Sequence, residues 1–240
     1  MSSSALAGKT VVIIGGSSGI GLAVAQAVLR EGGRPVVASS SAERVAAVVQ
    51  GLGAGARGLT VNVRDEADLG RAFGEVGAFD HLVYTAGDWS RAGGGPLKDL
   101  DLTSAAEAFA VRFWGALAAV KQALPHLGPE GSITLTDGLR AHRPTPGAAV
   151  STAMLGGIEH LGRALAVDLA PRRVNVVCPG LVLTERNRRL PETVVKAFAD
   201  ATPLGRAGEP DEVAEAYLYL MRATYVTGQV LMVEGGRLLT

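Results

Sequence analysis

The chain has 240 residues, with 23 basic and 23 acidic side chains, so its formal net charge is zero. This balance excludes bulk electrostatic attraction to nucleic acid or to a membrane surface as the basis of function. The single cysteine, Cys178, excludes an intrachain disulfide and suits a reducing compartment. Residues 1–7 lack signal-peptide features, and no stretch approaches the ~20 apolar residues of a membrane span. We therefore expect a cytoplasmic protein with one domain over residues 1–240.

The first predicted strand runs directly into a glycine-rich turn. Four apolar β-formers end at Ile14, and Gly15–Gly21 follow with the spacing G-x-x-x-G-x-G before a helical pattern. A strand, a glycine turn and a helix are typical of the start of a dinucleotide-binding sheet. Gly15 permits a sharp turn, Gly19 lets the backbone approach a pyrophosphate, and Gly21 permits close helix–strand packing. A βα turn without a ligand has the same pattern, so this turn alone does not establish a cofactor.

Short apolar strands alternate with helical patterns along nearly the whole chain. The predicted strands are 10–14, 35–39, 58–61, 80–84, 131–136, 173–178 and 229–233. The predicted helices are 20–31, 42–52, 66–75, 103–127, 148–169, 191–200 and 210–222. Strands buried on both faces read as continuous Val/Ile/Leu runs. The pattern therefore predicts a Rossmann-type α/β fold: one doubly wound, mostly parallel, seven-stranded sheet with helices on both faces.

The residues after the second predicted strand bear on the choice of cofactor. Ser39, Ser40 and Ser41 stand where an acidic residue would bind the adenosine ribose and repel a 2′-phosphate. Their hydroxyls can donate hydrogen bonds to a 2′-phosphate, and Arg44 lies one turn further on. This favours NADP(H) over NAD(H). Ser41 is also suited to cap the helix that begins near Ala42, and both roles are compatible.

Several motifs, in order along the chain, resemble the short-chain dehydrogenase/reductase family. The turn Gly15–Gly21, the pair Asn62-Val63, the pair Ala86-Gly87 and the segment Pro179–Thr184 are similar to the family's cofactor-binding segments. Residues 226–236 are similar to its C-terminal signature. The resemblance implies a nicotinamide cofactor and a carbonyl or alcohol substrate. Together with the serines above, the expected cofactor-binding residues are Gly15, Ser17, Ser18, Gly19, Ile20, Gly21, Ser39, Ser40, Ser41, Asn62, Val63, Ala86, Gly87, Pro179, Gly180, Val182 and Thr184.

All four catalytic positions of the family are changed in this chain. The family uses an asparagine, a serine, a tyrosine that donates the proton, and a lysine that lowers the tyrosine's pKa from its ordinary value of ~10. The residues at the matching positions are Arg112, Gly138, Val150 and Met154. Val150 cannot donate a proton, and Met154 carries no charge with which to tune a neighbour. The resemblance therefore implies the cofactor site without the family's usual proton transfer.

Other polar residues near the expected mouth of the pocket are candidates to replace the missing donor. Asp137 occupies the serine position if the loop alignment shifts by one residue, and it could instead pair with Arg112. His142 titrates near neutral pH, although its proline-rich loop favours a solvated side chain. Trp89 is also expected near the mouth. Tyr84 is expected to pack in the sheet rather than to donate a proton.

Three functions remain open at this point. The first is an NADP(H)-dependent oxidoreductase with a relocated proton donor, and the second is a catalytically silent nucleotide-binding protein that acts as a sensor, regulator or structural partner. The third is a non-redox enzyme that reuses the pocket. We expect an unidentified small-molecule substrate, no metal site, and no nucleic-acid or membrane partner. The resemblance implies a homodimer or homotetramer that packs through the predicted helices 103–127 and 148–169.

Overall fold

A computed structural model of the protein describes residues 6–87 and 94–240. Its strands are β1 (Thr10–Ile14), β2 (Arg34–Ser39), β3 (Arg57–Thr60), β4 (Phe79–Tyr84), β5 (Leu127–Thr136), β6 (Arg173–Pro179) and β7 (Val230–Val233). They form one parallel sheet in the order β3-β2-β1-β4-β5-β6-β7. The predicted seven-stranded, doubly wound sheet is confirmed.

Helices cover both faces of this sheet. They are α1 (Gly19–Arg30), α2 (Ala42–Leu52), α3 (Glu66–Val76), α4 (Leu102–Glu107), α5 (Gly115–Ala123), α6 (Ala149–Asp168), α7 (Glu192–Asp200) and α8 (Pro210–Arg222). Helices α1 and α8 pack together over one face, while α3, α5 and α6 bury their apolar sides against the other. No helix in the described ranges is both long enough and apolar enough to cross a membrane.

The helix predicted over 103–127 is confirmed over most of its length, but it is interrupted and ends earlier than expected. α4 ends at Glu107, a π-helical turn follows over Ala110–Trp114, and α5 ends at Ala123. Pro125 lacks an amide hydrogen with which to continue the helix, and β5 begins at Leu127 rather than at residue 131. A π turn contains one residue more than an α-helical turn, and this extra residue does not change how apolar the segment is. The sequence pattern therefore does not distinguish a π turn from an α-helix.

Hydrogen bonds between buried side chains fix the ends of β4 and β5. The Thr136 hydroxyl donates to the Tyr84 carbonyl oxygen at 2.7 Å, so the Tyr217 hydroxyl of α8, also 2.7 Å away, is the donor to Thr136. Tyr84 is 2% exposed and its hydroxyl donates to the carbonyl oxygen of Val111 at 2.5 Å. Burial raises the pKa of both tyrosines above the ordinary value. Tyr84 is thus a packing residue, as predicted, and the bonded frame positions the residue after Thr136.

Candidate active site

A cavity of about 450 Å³ opens at the carboxyl ends of the strands, where β1 and β4 are neighbours. The chain leaves β1 towards one edge of the sheet and returns at β4 to build the other half, so the cavity lies at the topological switch point. Dinucleotides bind at this position in doubly wound sheets. The glycine turn forms one wall, and the residues that follow β4, β5 and β6 form the others.

The start of α1 is suited to bind an anion. The side chains of Ser41 and Asp65 cap α2 and α3, whereas the side chain of Ser18 makes no cap at the start of α1. The first turn of α1 contains no acidic residue. Its backbone amides therefore keep unpaired hydrogens beside the cavity, at the positive end of the helix dipole. This is the arrangement that phosphate groups need.

Close approach of backbone segments explains the glycine at the start of the turn. Gly15 has a φ of +90°, and a Cβ atom there would lie 2.5 Å from the Ala86 amide nitrogen. A Cβ atom on Gly21 would overlap the Gly15 carbonyl oxygen. Neither position accommodates a side chain without moving backbone. The turn therefore offers backbone, not side chains, to whatever the cavity binds.

Most of the expected cofactor-binding residues do line the cavity. Three of them do not: Ser41, Gly180 and Val182. The Ser41 side chain accepts a hydrogen bond from the Arg44 amide and so caps α2. Gly180 packs against Glu234, and Val182 is 2% exposed. The cap predicted for Ser41 is confirmed. Those that line the cavity are Gly15, Ser17, Ser18, Gly19, Ile20, Gly21, Ser39, Ser40, Asn62, Val63, Ala86, Gly87, Pro179 and Thr184.

Two arginines line the cavity beside the serines that follow β2. Arg44 is the residue expected from the sequence, and Arg64 was missed. The Arg64 guanidinium donates to Glu107 at 2.7 Å. The sequence feature that could have pointed to Arg64 is its position directly after the Asn62-Val63 pair, where it adds a basic side chain to an expected cofactor-binding segment. Two guanidinium groups and two hydroxyls at one end of a cavity suit a second phosphate group.

The four residues expected at the family's catalytic positions differ in whether they line this cavity. Arg112, in the π turn, lines the cavity. Its guanidinium packs against Gly87, where an added Cβ atom would lie 2.9 Å from Nε of Arg112. Gly138, Val150 and Met154 are not among the described lining residues, and Met154 is buried. Trp89 lies outside the described residues. Among these positions, the structure therefore brings only Arg112 into the described cavity wall.

Asp137 follows β5 at the cavity wall with both of its carboxyl oxygens buried, and three titratable side chains lie close to it. Asp137, His142, Glu159 and Cys178 come from four separate segments, and one ligand-type atom of each lies within 4.8 Å of the others. Asp137 is 2% exposed, Glu159 4% and Cys178 0%. His142 is exposed. We call these four residues the quartet. Of its members, Asp137 alone lines the cavity.

This arrangement corrects one expectation from the sequence and extends another. Asp137 does not pair with Arg112, because neither of its oxygens accepts a hydrogen bond from the described residues. His142 is exposed on its loop, as expected, but its Nε2 atom also lies 2.5 Å from Glu159 Oε1, a contact that the sequence did not predict. Glu159 was missed altogether: it is a buried acid within an otherwise helical pattern.

Electrostatics keep a proton on Asp137 near neutral pH. Burial, and then the neighbouring Glu159 carboxyl, raise the pKa of Asp137 to about 8, while the Cys178 thiol acts in the opposite direction. Burial and the adjacent carboxyl groups also raise the pKa of Cys178 above its ordinary value. Cys178 is therefore a neutral buried thiol, as expected from its apolar strand, and not an activated nucleophile.

Comparisons with known proteins agree with this geometry. A family model described as enoyl-(acyl carrier protein) reductase matches residues 14–237. The short-chain dehydrogenase/reductase MalC from Malbranchea aurantiaca is 36% identical, over 98% of this chain and 96% of that protein. The chain belongs to the short-chain dehydrogenase/reductase family. Carbonyl reductase family member 4 from Danio rerio is 34% identical, over 95% of this chain and 97% of that protein.

Solved structures of short-chain dehydrogenases share the whole fold. The structure of the MalC reductase/Diels-Alderase has a TM-score of 0.90 at 35% identity and covers 98% of this chain and 97% of its own. A small-chain dehydrogenase in complex with NADPH has a TM-score of 0.83 at 34% identity and covers 97% and 100%. The likeness to these structures therefore extends over nearly the whole chain.

The raised pKa of Asp137 predicts how stability depends on pH. Between the ordinary carboxyl pKa of ~3.9 and the folded-state value, the folded protein holds a proton that the unfolded chain releases. Stability should therefore decrease as pH rises from about 4 to about 8. We expect Asp137→Asn to remove this part of the decrease, measured by urea unfolding across that range. The exposed Asp168→Asn should keep the wild-type profile; an unchanged profile in Asp137→Asn would contradict the assignment.

Proposed function

We propose that the chain is an NADP(H)-dependent oxidoreductase that reduces a carbonyl group of a small molecule, or oxidises the corresponding alcohol. Asp137 supplies the proton that the family's tyrosine would otherwise donate. The observation that carries the proposal is the position of a buried carboxyl with a raised pKa in the same cavity as the glycine turn. The missing Tyr/Lys pair is thereby compensated at a different point of the cavity wall.

The residues present fit an NADP(H) cofactor. The open amides at the start of α1 would hold the pyrophosphate, and Ser39, Ser40, Arg44 and Arg64 would surround a 2′-phosphate. A solved relative binds NADPH, which supports the same choice here. When bound, the cofactor supplies or accepts a hydride.

Asp137 and Arg112 would act on the substrate oxygen. A protonated carboxyl donates a hydrogen bond to the oxygen and releases its proton as negative charge develops, and this is most efficient when its pKa is near the working pH. The Arg112 guanidinium at the same cavity places positive charge near the developing anion. Neither residue requires the tyrosine or the lysine of the family.

The cofactor preference is tested at Arg44. We expect Arg44→Ala to weaken NADPH binding by about 10- to 100-fold, because a charge-assisted contact to phosphate is worth ~1.5–3 kcal/mol. NADH binding should change little, since NADH has no 2′-phosphate. Fluorescence titration of both cofactors measures the effect. The matched control is Arg30→Ala, in the last turn of α1 and outside the cavity. Equal losses for the two cofactors would contradict the 2′-phosphate assignment.

Turnover is tested by screening carbonyl compounds for loss of the NADPH absorbance. We expect oxidation of NADPH with at least one class of carbonyl substrate. Tight NADPH binding without oxidation across a broad panel would contradict the oxidoreductase and favour a silent nucleotide-binding protein.

A second candidate is an enzyme that joins reduction to ring formation in the same pocket. The likeness to MalC favours it, because the MalC structure is described as a reductase/Diels-Alderase. Ring formation by cycloaddition leaves the mass of the substrate unchanged and consumes no NADPH. Product mass and NADPH consumption, measured together, separate the two reactions.

A further inference from the structure

We propose that His142 and Glu159 form a proton path that reconnects Asp137 with solvent without passing through the cofactor cavity. The proposal rests on the proposed function, in which Asp137 gives up its proton at each reduction. It assigns a role to two residues that the cofactor and substrate do not touch in that proposal. His142 and Glu159 are thus positioning and relay residues, not catalytic ones.

Three titratable side chains run in sequence from solvent to the cavity. The side chain of His142 is 30% exposed, and its Nε2 atom lies 2.5 Å from Oε1 of Glu159. The Glu159 side chain is 6% exposed and lies within 4.8 Å of the Asp137 carboxyl. Asp137 in turn lines the cavity, whereas His142 and Glu159 do not. The histidine end of the series is therefore open to solvent, whereas both carboxyl groups are buried and Asp137 stands at the cavity wall.

The burial of Asp137 creates the need for such a path. Its residue surface is 2% exposed, so little water reaches the carboxyl even in the open cavity. A cofactor and a substrate would fill the remaining space. Once Asp137 has donated its proton, it must take up another before the next reduction. Burial favours this uptake, because it destabilises the ionised carboxylate. Resupply from the protein side satisfies this requirement.

Each transfer in the path balances. The His142 imidazolium gives its Nε2 proton to a Glu159 oxygen, and the protonated Glu159 gives a proton to the Asp137 carboxylate. His142 then takes a proton from solvent and returns to the imidazolium. No group changes its net charge over the full cycle, and no oxidant, reductant or metal is required.

The other groups facing the quartet do not offer an equivalent route. Arg163 lies 3.6 Å from Oε2 of Glu159, and a guanidinium does not release its proton in proteins. Cys178 lies beside Asp137. Burial and the neighbouring carboxyl groups, including that of Glu234, raise the pKa of its thiol and keep it neutral. Tyr217 is close to Asp137, and its hydroxyl proton is already donated to Thr136. Among these groups, His142 combines exchangeable protons with contact to solvent.

The four side chains of the quartet are also the ligand types that bind Zn²⁺. A metal would occupy the lone pairs of His142 and Glu159 through which the proton must pass. The path therefore requires that purified protein contain less than stoichiometric metal. Elemental analysis, with Zn²⁺ alone as the added probe, is accordingly part of the test.

The experiment follows deuterium exchange into the Asp137 carboxyl by rapid-mixing infrared spectroscopy in D₂O, with and without NADPH. Asp137→Asn identifies the carboxyl C=O band by removing it. We expect His142→Ala to slow exchange at least ~100-fold, at the lower end of general acid–base effects, and added imidazole to restore it. The matched control is His160→Ala: His160 is the next residue after Glu159, is exposed, and contacts only the Gly156 carbonyl among the described groups.

Exchange in His142→Ala at the wild-type rate would overturn the path, as would stoichiometric Zn²⁺ in the quartet. A slowed rate that imidazole does not restore would also overturn it, because that result indicates a structural role. His142 lies on a loop, so its variant is expected to fold; circular dichroism checks this. The readout needs no substrate, and exchange in the cofactor-free protein reports the path even if NADPH binding or turnover fails.

Discussion

Asp137→Asn is expected to lower the rate of carbonyl reduction at least ~100-fold, the usual scale for loss of a general acid. The amide has nearly the same shape and still donates a hydrogen bond, but it cannot transfer a proton. NADPH affinity should stay close to wild type, because Asp137 is distant in the fold from the serines and arginines that follow β2 and β3. Single-turnover oxidation of bound NADPH separates the chemical step from cofactor binding.

The pH profile distinguishes this role from a purely structural one. In the wild type, the reduction rate should fall as pH rises through the Asp137 pKa of about 8, because the acid form is the active one. Asp137→Asn should lack this fall, and the exposed Asp168→Asn should retain it. A wild-type rate and profile in Asp137→Asn would assign the proton to water or to another group.

Gly15→Ala is expected to destabilise the fold by ~2–5 kcal/mol and to abolish cofactor binding. The left-handed φ of Gly15 costs a side chain ~1–2 kcal/mol, and overlap with the Ala86 backbone adds an overpacking penalty of ~1–3 kcal/mol. The overlap pushes β1 and the segment after β4 apart at the point where the phosphate site is built.

Gly53→Ala is the matched control for the backbone strain. Gly53 has a φ of +82°, but a Cβ there meets nothing within 4 Å. The Gly53→Ala variant should therefore lose only the free energy of unfolding that a side chain at positive φ costs, and it should keep its NADPH affinity. Urea unfolding and NADPH titration measure both effects. Equal stability losses in the two variants would show that close approach at Gly15 adds nothing.

Most of the fold follows from local sequence patterns. The strands at the centre of the sheet are buried on both faces, so they read as short apolar runs such as Val174–Cys178. The π turn within 103–127 could not be predicted, because the many alanines of this segment suit an α-helix and a π turn equally. At this turn the Tyr84 hydroxyl donates a hydrogen bond to the Val111 carbonyl oxygen, a tertiary contact that no local pattern reveals.

The two halves of the candidate site differ in how far the sequence predicts them. The cofactor wall comes from contiguous turns, so Gly15–Gly21 could be located from spacing alone. The quartet is assembled from the residue after β5, from a loop, from α6 and from β6, and no spacing connects its members. Glu159 in particular follows Ile158 in a regular helical pattern, where a surface position was the simpler interpretation.

The π turn makes the cavity wall sensitive to chain length as well as to residue type. A π turn accommodates one residue more than an α-helical turn. Deleting one residue from Ala110–Trp114 would let a regular helix form and would rotate the residues on one side by about 100° relative to the other. Arg112 would then turn away from Gly87 while Ala116 kept its buried position. A one-residue deletion in this turn would therefore remove the Arg112 guanidinium from the cavity wall without changing the type of any remaining residue.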